Sequence, residues 1–558
     1  MQKKRAKRFL LLLGFILGLE AMFARGIRAT EINLQVGIIQ RFGSKPVDEK
    51  EEPLDRVTIK SSSGDLLNLS LPEQEQSKQN LKTKEVVLQI EQQSLREPIL
   101  SERLVLSDHA TFETAEDSAN FWKTLGIEVE IAQPGRWQVW AKRDVYPTPM
   151  VRRWLLRSLQ ANGYTDSYLK TELLSEIPQV IVSVNDNSYY ADELEISSER
   201  NKLIVKEGDN AQSAKVFGGS LRLQPNAYGS FTLVNNVPLE TYLRGVVPYE
   251  IGAGAPTEAI AAQTIIARTY ALRNLRRFEI DDYQLCATVH CQVYKGLSGA
   301  TEKTDRAIAN TAGLVLTYQN ELVDALYSST SGGVTAYFSD TWNGAERPYL
   351  RSLIDSPYSV WDLSRASLAR EQTFRQFIDL EQGFNETGRS LFRWNKTRKI
   401  KDLNQDLRKY LRKTRHPLAD FTTIEKMEVL KRSPSGRILD FAVITDRGIV
   451  KLEKNEVRSA FEPPRSTLFY VEPVYDESKQ LSAYAFVGGG FGHGVGLSQY
   501  GSYNLAKLGY LAAQILAFYY PETSIQPLNE SIVFWRKPHT PIDLEVGELQ
   551  ESPLSSLK

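Results

Sequence analysis

Two kinds of apolar pattern alternate between residues 104 and 173. LVLSDHATF and the two halves of IEVEIAQPGRWQVWAK alternate apolar and polar positions, which predicts strands, the last two joined by a Pro-Gly turn. TAEDSANFWKTLG and TPMVRRWLLRSLQANG repeat their apolar residues at helical spacing, with Ala115, Ala119 and Trp122 on one face of the first helix. The resulting β-α-β-β-α-β order predicts a small ferredoxin-like domain over 104–173.

The patterns before and after this segment are different. Residues 30–43 predict an opening strand, and 44–100 is rich in Lys, Glu, Gln and Ser. We therefore expect 30–103 to be a strand followed by a polar, loosely ordered region in which short strands are an alternative. From 178, strand patterns precede a helix at 256–277 that is apolar nearly all round, which predicts a buried central helix. Residues 360–425 predict a charged, mostly helical insertion, and 536–558 a flexible tail. We therefore expect an α+β protein with a β-rich domain at 178–535.

The charge balance and the N-terminal sequence limit the partners and the location that we expect for this protein. The 68 basic and 68 acidic residues leave no net charge to attract a polyanion, so we expect no nucleic-acid partner. The chain begins with the basic segment MQKKRAKR, continues with the apolar segment FLLLLGFILGLEAMF and then has several small residues. This order predicts a signal peptide or N-terminal anchor at 1–29. No later stretch has the ~18 apolar residues of a membrane span. We expect an exported protein of the periplasm or cell envelope that meets the membrane only through this segment.

The most unusual segment is GGGFGHGVGLSQYG at 488–501, which holds seven glycines. Its glycines do not have the spacing of a dinucleotide-binding loop, and no Gly-Lys-Ser/Thr ends it as in a P-loop. Glycine also allows close approach of the backbone to other groups, so the segment indicates a different ligand.

Three segments together resemble the SpoIID/LytB family of stage II sporulation protein D and amidase enhancers. They are 235–272, containing VVPYE and ARTYA; 307–333, containing YSSTSGG; and the glycine-rich 488–501, whose FGHGVGLSQYG is similar to the signature of the family. The resemblance implies a peptidoglycan lytic transglycosylase that cleaves peptide-stripped glycan strands after N-acetylmuramic acid and leaves 1,6-anhydro ends. Residues 104–173 also resemble the SPOR module, which binds such strands.

The resemblance assigns the catalytic glutamate to Glu250 and places Arg268 in the same groove. A lytic transglycosylase can work with one carboxyl group, provided that the group is protonated near neutral pH. The apolar neighbours of Glu250 would raise its pKa. Arg268 lies on an apolar helix face and needs a partner, either Glu250, a substrate group or a structural ion pair. Glu240 is predicted to be a surface helix residue.

Other residues of the motifs are candidates for substrate binding. His493, Gln499 and Tyr500 can hydrogen-bond sugar hydroxyl and acetamido groups, and Tyr500 can stack on a sugar ring. His493 has two further interpretations, as an auxiliary acid or base and as a structural histidine. Ser328 and Ser329 are predicted to line the groove, because no Gly-x-Ser-x-Gly elbow surrounds them.

Cys286, His290 and Cys291 leave three interpretations open. They supply three ligands for a structural zinc ion, with Asp281 or Asp282 as a fourth, but the two cysteines can instead form a disulfide or remain free thiols.

We expect no cofactor for catalysis itself. A non-catalytic glycan-binding protein that stimulates an N-acetylmuramoyl-L-alanine amidase is the alternative function, and such an amidase is then the expected protein partner.

Overall fold

The computed structural model describes residues 32–44, 53–72 and 78–536. The predicted signal peptide or anchor at 1–29 and the tail beyond 536 lie outside these residues. Within the described ranges, no helix has the length and apolar character needed to cross a membrane.

The polar N-terminal region forms strands, contrary to the prediction of a loosely ordered segment. Apolar residues alternate with its many charged ones, and alternation lets one face of each strand be buried. In β2, for example, Val57 and Ile59 are fully buried while Arg56 and Lys60 are exposed. The strands of this region are β1 (Asn33–Phe42), β2 (Arg56–Ser61), β3 (Leu67–Pro72), β4 (Lys78–Thr83) and β5 (Glu85–His109).

The predicted β-α-β-β-α-β order is present from β5 onward. It continues with α1 (Phe112–Thr124), β6 (Val129–Ala132), β7 (Trp137–Ala141), α2 (Pro149–Ala161) and β8 (Tyr168–Val184). β5 pairs antiparallel with both β7 and β8, and β7 with β6, so the spatial order is β8-β5-β7-β6. The predicted boundary at 103 is wrong, however, because it falls inside β5, which also pairs with β2 in a larger sheet. The SPOR-like character of the segment stays a prediction.

Two large sheets share the first hydrophobic core. One has the order β15-β1-β14-β13-β10-β3-β4, and the other follows β12-β11-β2-β5-β7-β6, with β8 and β9 attached through β5. Buried residues from both sheets, among them Val36 and Val182, belong to one continuous cluster. The additional strands are β9 (Asn187–Tyr190), β10 (Leu194–Ser198), β11 (Lys202–Glu207), β12 (Lys215–Gly218), β13 (Ser220–Pro225) and β14 (Phe231–Pro238).

The central helix, α4 (Thr257–Arg273), is buried as its apolar sequence predicts. Fourteen of its seventeen residues are buried, which confirms the α+β architecture around a buried helix. Apolar residues on several faces can be satisfied only by neighbours on several sides. The elements around it are α3 (Leu239–Arg244), α4 itself (Thr257–Arg273), β15 (Leu285–Cys286), α5 (Glu302–Asn310), β16 (Leu314–Tyr318), β17 (Glu321–Leu322) and β18 (Tyr327–Ser328).

The charged insertion is less helical and longer than predicted. The charged stretch contains two helices and a strand, and that strand, β19, pairs with β24 some ninety residues later. The inserted unit therefore extends to the glycine-rich segment and has hydrophobic clusters of its own. Its elements are α6 (Glu371–Ile378), β19 (Arg393–Lys399), α7 (Ile400–Lys413), β20 (Ile424–Arg432), β21 (Ile438–Thr445), β22 (Gly448–Glu453), α8 (Glu456–Ala460), β23 (Phe469–Tyr475) and β24 (Leu481–Gly489).

The chain returns to the central helix after the insertion. β25 (Leu497–Ser498) pairs in parallel with β18 and holds the end of the glycine-rich segment beside the YSSTSGG segment. It is followed by α9 (Gln499–Lys507), α10 (Ala512–Tyr519) and β26 (Ser524–Pro527).

Candidate active site

A cavity of about 550 Å³ lies where three distant parts of the chain meet. The central region contributes the turn before α4, the segment after β15 and the start of β18. The N-terminal region contributes the start of α1, and the insertion contributes α8. Of the candidate residues, the cavity is lined by Glu250, His290, Cys291, Ser328, Ser329, His493 and Gln499.

Glu250 lies in a single π-helical turn, Pro248–Gly252, immediately before α4. Such turns often occur at functional sites because they redirect one side chain out of the helical path. Its Oε1 accepts a hydrogen bond of 2.6 Å from the backbone N–H of Val293. Burial raises the pKa of the Glu250 carboxyl group, and the hydrogen bonds to its ionised form only partly oppose this effect. The group is therefore biased toward the protonated form while it opens into the cavity.

A chain of hydrogen bonds leads to this carboxyl group through the protein interior. The Tyr242 hydroxyl donates to Oε1 of Gln292 at 3.2 Å, and Nε2 of Gln292 donates to the Tyr327 hydroxyl at 3.1 Å. The Tyr327 hydroxyl in turn stabilises the ionised Glu250 side chain and so lowers the pKa of that carboxyl group. Burial raises the pKa of both tyrosines well above their usual value, so they remain neutral donors. The donors of this chain are oriented toward Tyr327 and Glu250.

The glycine-rich segment is positioned mainly against protein backbone. A Cβ atom on Gly496, which has a φ of +72°, would lie 2.0 Å from the carbonyl oxygen of Leu326. On Gly492, with a φ of +107°, it would lie 2.9 Å from Cβ of Ser328. Only glycine accepts both this conformation and this proximity. The segment therefore packs closely on β18, and only part of it, including Gly492, faces the cavity.

Gln499 connects the glycine-rich segment to the glutamate. Its Nε2 donates to the backbone carbonyl of Glu250 at 2.9 Å, and its side chain also lowers the pKa of the Glu250 carboxyl group. The Tyr503 hydroxyl donates to the carbonyl of Ile251 in the same turn. Two residues of α9 thus hold the π-helical turn in place.

His493 has the environment of a structural histidine. Its Nδ1 accepts a hydrogen bond of 3.0 Å from the N–H of Val495, which requires this nitrogen to be unprotonated. Its ring lies against Trp342 with centroids 5.0 Å apart. Burial, with the nearby charge of Arg458, lowers the pKa of His493 to about 3. The ring is therefore neutral at physiological pH, which argues against an auxiliary acid or base.

Of the other residues predicted to bind substrate, Ser328 and Ser329 line the cavity and Tyr500 does not. Ser328 uses its hydroxyl to accept the N–H of Gly494 at 3.2 Å, and Ser329 accepts the N–H of Tyr500 through its carbonyl. Both serines line the cavity. Tyr500 does not line it. Its ring lies under the guanidinium of Arg389 at 4.7 Å.

Arg268 is not part of the cavity, which corrects the prediction. Its Nε and Nη2 bind the two carboxylate oxygens of Glu240 at 2.8 and 2.7 Å, and Nη1 donates to the carbonyl of Leu314 at 3.0 Å. The buried guanidinium thus has a structural partner from α3, and Glu240 is more than the surface residue expected. A bidentate pair of this kind satisfies a charge on an apolar helix face.

Cys286 and Cys291 form a disulfide, and in this state neither sulfur is available as a thiolate ligand for zinc. No group of three or more metal-binding side chains occurs in the described part of the chain. Of the three interpretations, the disulfide is the one that the structure contains. It lies in the segment that presents Gln292 and Val293 to Glu250.

Residues outside the motifs complete the cavity. From the N-terminal region, Phe112 packs on Trp137 with ring centroids 5.1 Å apart, and Glu113 forms an ion pair with Arg277. The sequence gives no local signal for this docking, because it depends on contacts across more than 160 residues. For Tyr327 a local signal was present, since it is the first residue of the YSSTSGG motif segment.

Comparison with known proteins shows similarity to one described family. Residues 227–318 match the family model described as Stage II sporulation protein, and 336–496 match a domain of unknown function, DUF8618. The amidase enhancer of Bacillus subtilis (strain 168) is 28% identical over 364 residues, covering 57% of this chain and 48% of that protein. Stage II sporulation protein D of Bacillus amyloliquefaciens is 27% identical over 312 residues, covering 52% of this chain and 75% of that protein.

A segment of the chain thus matches the Stage II sporulation protein model, and the chain is similar to an amidase enhancer and to stage II sporulation protein D, in agreement with the motif resemblance. It spans about half the length of the amidase enhancer that it matches. A protein of Brachyspira hyodysenteriae named as uncharacterized is 22% identical over 369 residues, covering 64% of this chain and 86% of that protein.

Proposed function

We propose that this protein is a peptidoglycan lytic transglycosylase that cleaves peptide-stripped glycan strands after N-acetylmuramic acid. The observation that carries the proposal is the Glu250 carboxyl group, whose pKa is raised by burial and which opens into a cavity of about 550 Å³. A cavity of this size accommodates a few sugar rings. We also propose, from the N-terminal sequence, that the protein works in the periplasm or cell envelope.

Glu250 acts twice in the proposed reaction. As an acid it donates its proton to the glycosidic oxygen while the bond from C1 of the muramic acid to that oxygen breaks. The C6 hydroxyl of the same sugar then attacks C1, and the Glu250 carboxylate accepts the hydroxyl proton. One C–O bond is broken, one is formed, and the glutamate regains its proton. Water is not consumed, so no second carboxylate is needed to activate it.

Glu113 is the other carboxylate among the cavity-lining residues, and its contacts favour a structural role. It is paired with Arg277, which also donates to the carbonyl of His290 at 3.0 Å. A glycosidase that hydrolyses its substrate needs a second carboxylate as base or nucleophile. The ion pair of Glu113 makes it a poor choice for either role.

An amidase-enhancing glycan-binding protein is the second candidate. It is favoured by the similarity to a protein named amidase enhancer. In that case the cavity binds glycan without cleaving it. Glu250 would then be a hydrogen-bonding residue only.

The test is product analysis. The full-length protein is incubated with peptide-stripped glycan, and the ends are identified by mass spectrometry. We expect 1,6-anhydro-muramic ends that are absent with Glu250→Gln and still formed with Glu113→Gln. Reducing ends that disappear with Glu113→Gln would instead establish hydrolysis with two carboxylates. Binding without cleavage, together with stimulation of an added amidase, would establish the second candidate.

A further inference from the structure

One basic side chain that lines the cavity, Arg458, has no ion-pair partner among the described residues. The charged side chains of the cavity are Glu113, Glu250, Arg277 and Arg458. Glu113 and Arg277 form an ion pair with each other. Among the described residues, Arg458 is therefore the basic side chain of the cavity that has no ion-pair partner.

Arg458 lacks an acidic partner among the residues that the structure describes. It lies in α8 of the insertion, and its one side-chain hydrogen bond within those residues is a long one of 3.4 Å, from Nη1 to Oδ1 of Asn455. Its Nε is shielded from solvent and has no hydrogen-bond acceptor in the described ranges. Arg268, by contrast, is buried and forms a bidentate ion pair with Glu240. Leaving a guanidinium partly buried and unpaired costs free energy, unless a ligand supplies the acceptor.

The position of Arg458 suits a substrate contact away from the reacting bond. It is close enough to His493 to lower the pKa of that ring, and Asn455, His493 and Glu250 line the same cavity. Arg458 can therefore present its guanidinium to an anionic group of a ligand that occupies this cavity.

We infer that Arg458 binds the free lactyl carboxylate of an N-acetylmuramic acid residue in the glycan strand. This inference rests on the proposed function and adds a specificity residue to it. A muramic acid that carries a peptide has an uncharged amide at this position, whereas peptide removal exposes a carboxylate. A guanidinium binds a carboxylate through two parallel hydrogen bonds and has no equivalent interaction with the amide. Arg458 thus selects stripped strands, and it does so from the insertion, outside the SpoIID segment.

The experiment compares two substrates and three proteins. The substrates are peptide-stripped glycan and the same glycan with its lactyl carboxylates converted to methylamides. The proteins are the full-length chain, Arg458→Gln, and Arg447→Gln as a control with the same charge change at an exposed turn of the same domain. KM and kcat are obtained from initial rates of strand cleavage. Amidation of the substrate tests the contact in the unmodified protein, independently of the folding of any variant.

We expect amidation to raise KM about 10–100-fold for the unmodified protein and for Arg447→Gln, since a charge-assisted pair is lost. For Arg458→Gln, KM on stripped glycan should rise by a similar factor and should no longer respond to amidation, with kcat changed much less. Arg458→Lys should recover part of the discrimination.

Two outcomes separate this inference from the proposed function. Equal KM values of the unmodified protein for both glycans would overturn the role of Arg458 while cleavage remained established. Absence of cleavage would refute the transglycosylase, and equilibrium binding of the two glycans would then decide the role of Arg458 by the same comparison. Retained discrimination in Arg458→Gln would overturn the inference in either case.

Discussion

Two glutamates of this protein have raised pKa values for the same reason but in opposite surroundings. Burial raises the pKa of Glu250, which borders a cavity. Burial, and secondarily the charge of Asp355, raises the pKa of Glu386 to about 8. Glu386, however, is enclosed completely and lines none of that cavity.

The bonds of Glu386 explain its different role. Its carboxyl oxygens accept the backbone N–H groups of Ser331 and Gly332 and the hydroxyl of Ser498. Its neighbour Asp355 accepts hydroxyl groups from Ser331 at 2.8 Å and Tyr519 at 2.7 Å. Glu386 and Asp355 therefore connect the inserted unit to the YSSTSGG segment and to the end of the glycine-rich segment, which both lie beside the cavity.

The comparison shows that a raised pKa does not by itself identify a catalytic acid. Structural networks perturb pKa values as strongly as active sites do. What distinguishes Glu250 is access, because a ligand can reach its carboxyl group from the cavity, whereas every approach to Glu386 is filled by protein. Substitutions at the two positions should therefore have opposite consequences.

Glu250→Gln should have the largest effect on activity. Removing the general acid and base is expected to reduce strand cleavage by about 10²–10⁴-fold, while the Gln side chain can keep the hydrogen bond from Val293. The thermal unfolding midpoint should stay near that of the unmodified protein. Cleavage assays and calorimetry on the same preparation measure both quantities. A strong fall in the unfolding midpoint would mean that Glu250 is structural, as Glu386 is.

Glu386→Gln should have the converse effect. The amide cannot accept from both backbone N–H groups, so stability should fall by on the order of 3 kcal/mol, with cleavage affected mainly through weakened packing of the motif segments. Urea unfolding measures the change. Glu381→Gln, at an exposed position of the same segment, is the control and should have little effect.

The same substitution should alter the pH dependence of stability. Because the pKa of Glu386 is about 8 in the folded protein and 4.5 in the unfolded reference, the folded state holds the extra proton between these values. The stability that this proton adds to the folded state is therefore fully present below about pH 4.5 and is lost as the pH rises toward 8. Unfolding midpoints across this range should fall less steeply in Glu386→Gln. An unchanged slope would contradict the assignment of the proton to this pair.

Removing the disulfide should have an intermediate effect. Opening a loop with a sequence separation of 5 residues is expected to lower stability by about 2 kcal/mol. Cleavage should fall severalfold, since the same segment presents Val293 to Glu250. The double variant Cys286→Ala/Cys291→Ala is compared with the parent by urea unfolding and by strand cleavage. Equal cleavage in both would show that the segment is held without the disulfide.

Tyr327→Phe should have the smallest and most specific effect. The Tyr327 hydroxyl stabilises the Glu250 carboxylate and lowers the pKa of that group, so loss of the hydroxyl should raise this pKa further. Activity that depends on the protonated acid should then persist to higher pH. The descending limb of the pH–rate profile is the measurement, with the exposed Tyr475→Phe as control. A shift to lower pH would contradict the proposed orientation of the hydrogen-bond chain.

Much of the fold was predictable because local patterns carry it. The apolar surface of α4 required burial, the β-α-β-β-α-β order followed from changes of period, and the apolar neighbours of Glu250 indicated a raised pKa. The polar stretch before 100 was misjudged, because its composition concealed the alternation that β2 to β5 use. The predicted insertion was too short, since β19 obtains its partner only from β24.

What the sequence by itself determined are the secondary structure, the buried helix and the residue types of the motifs, since each depends on neighbours within a few positions. The tertiary structure decided the partners. It paired Arg268 with Glu240, joined Cys286 to Cys291, and left Arg458 unpaired among the described residues at a cavity built from three regions. A charge or thiol takes the partner that long-range packing places beside it, and local patterns contain no record of that proximity.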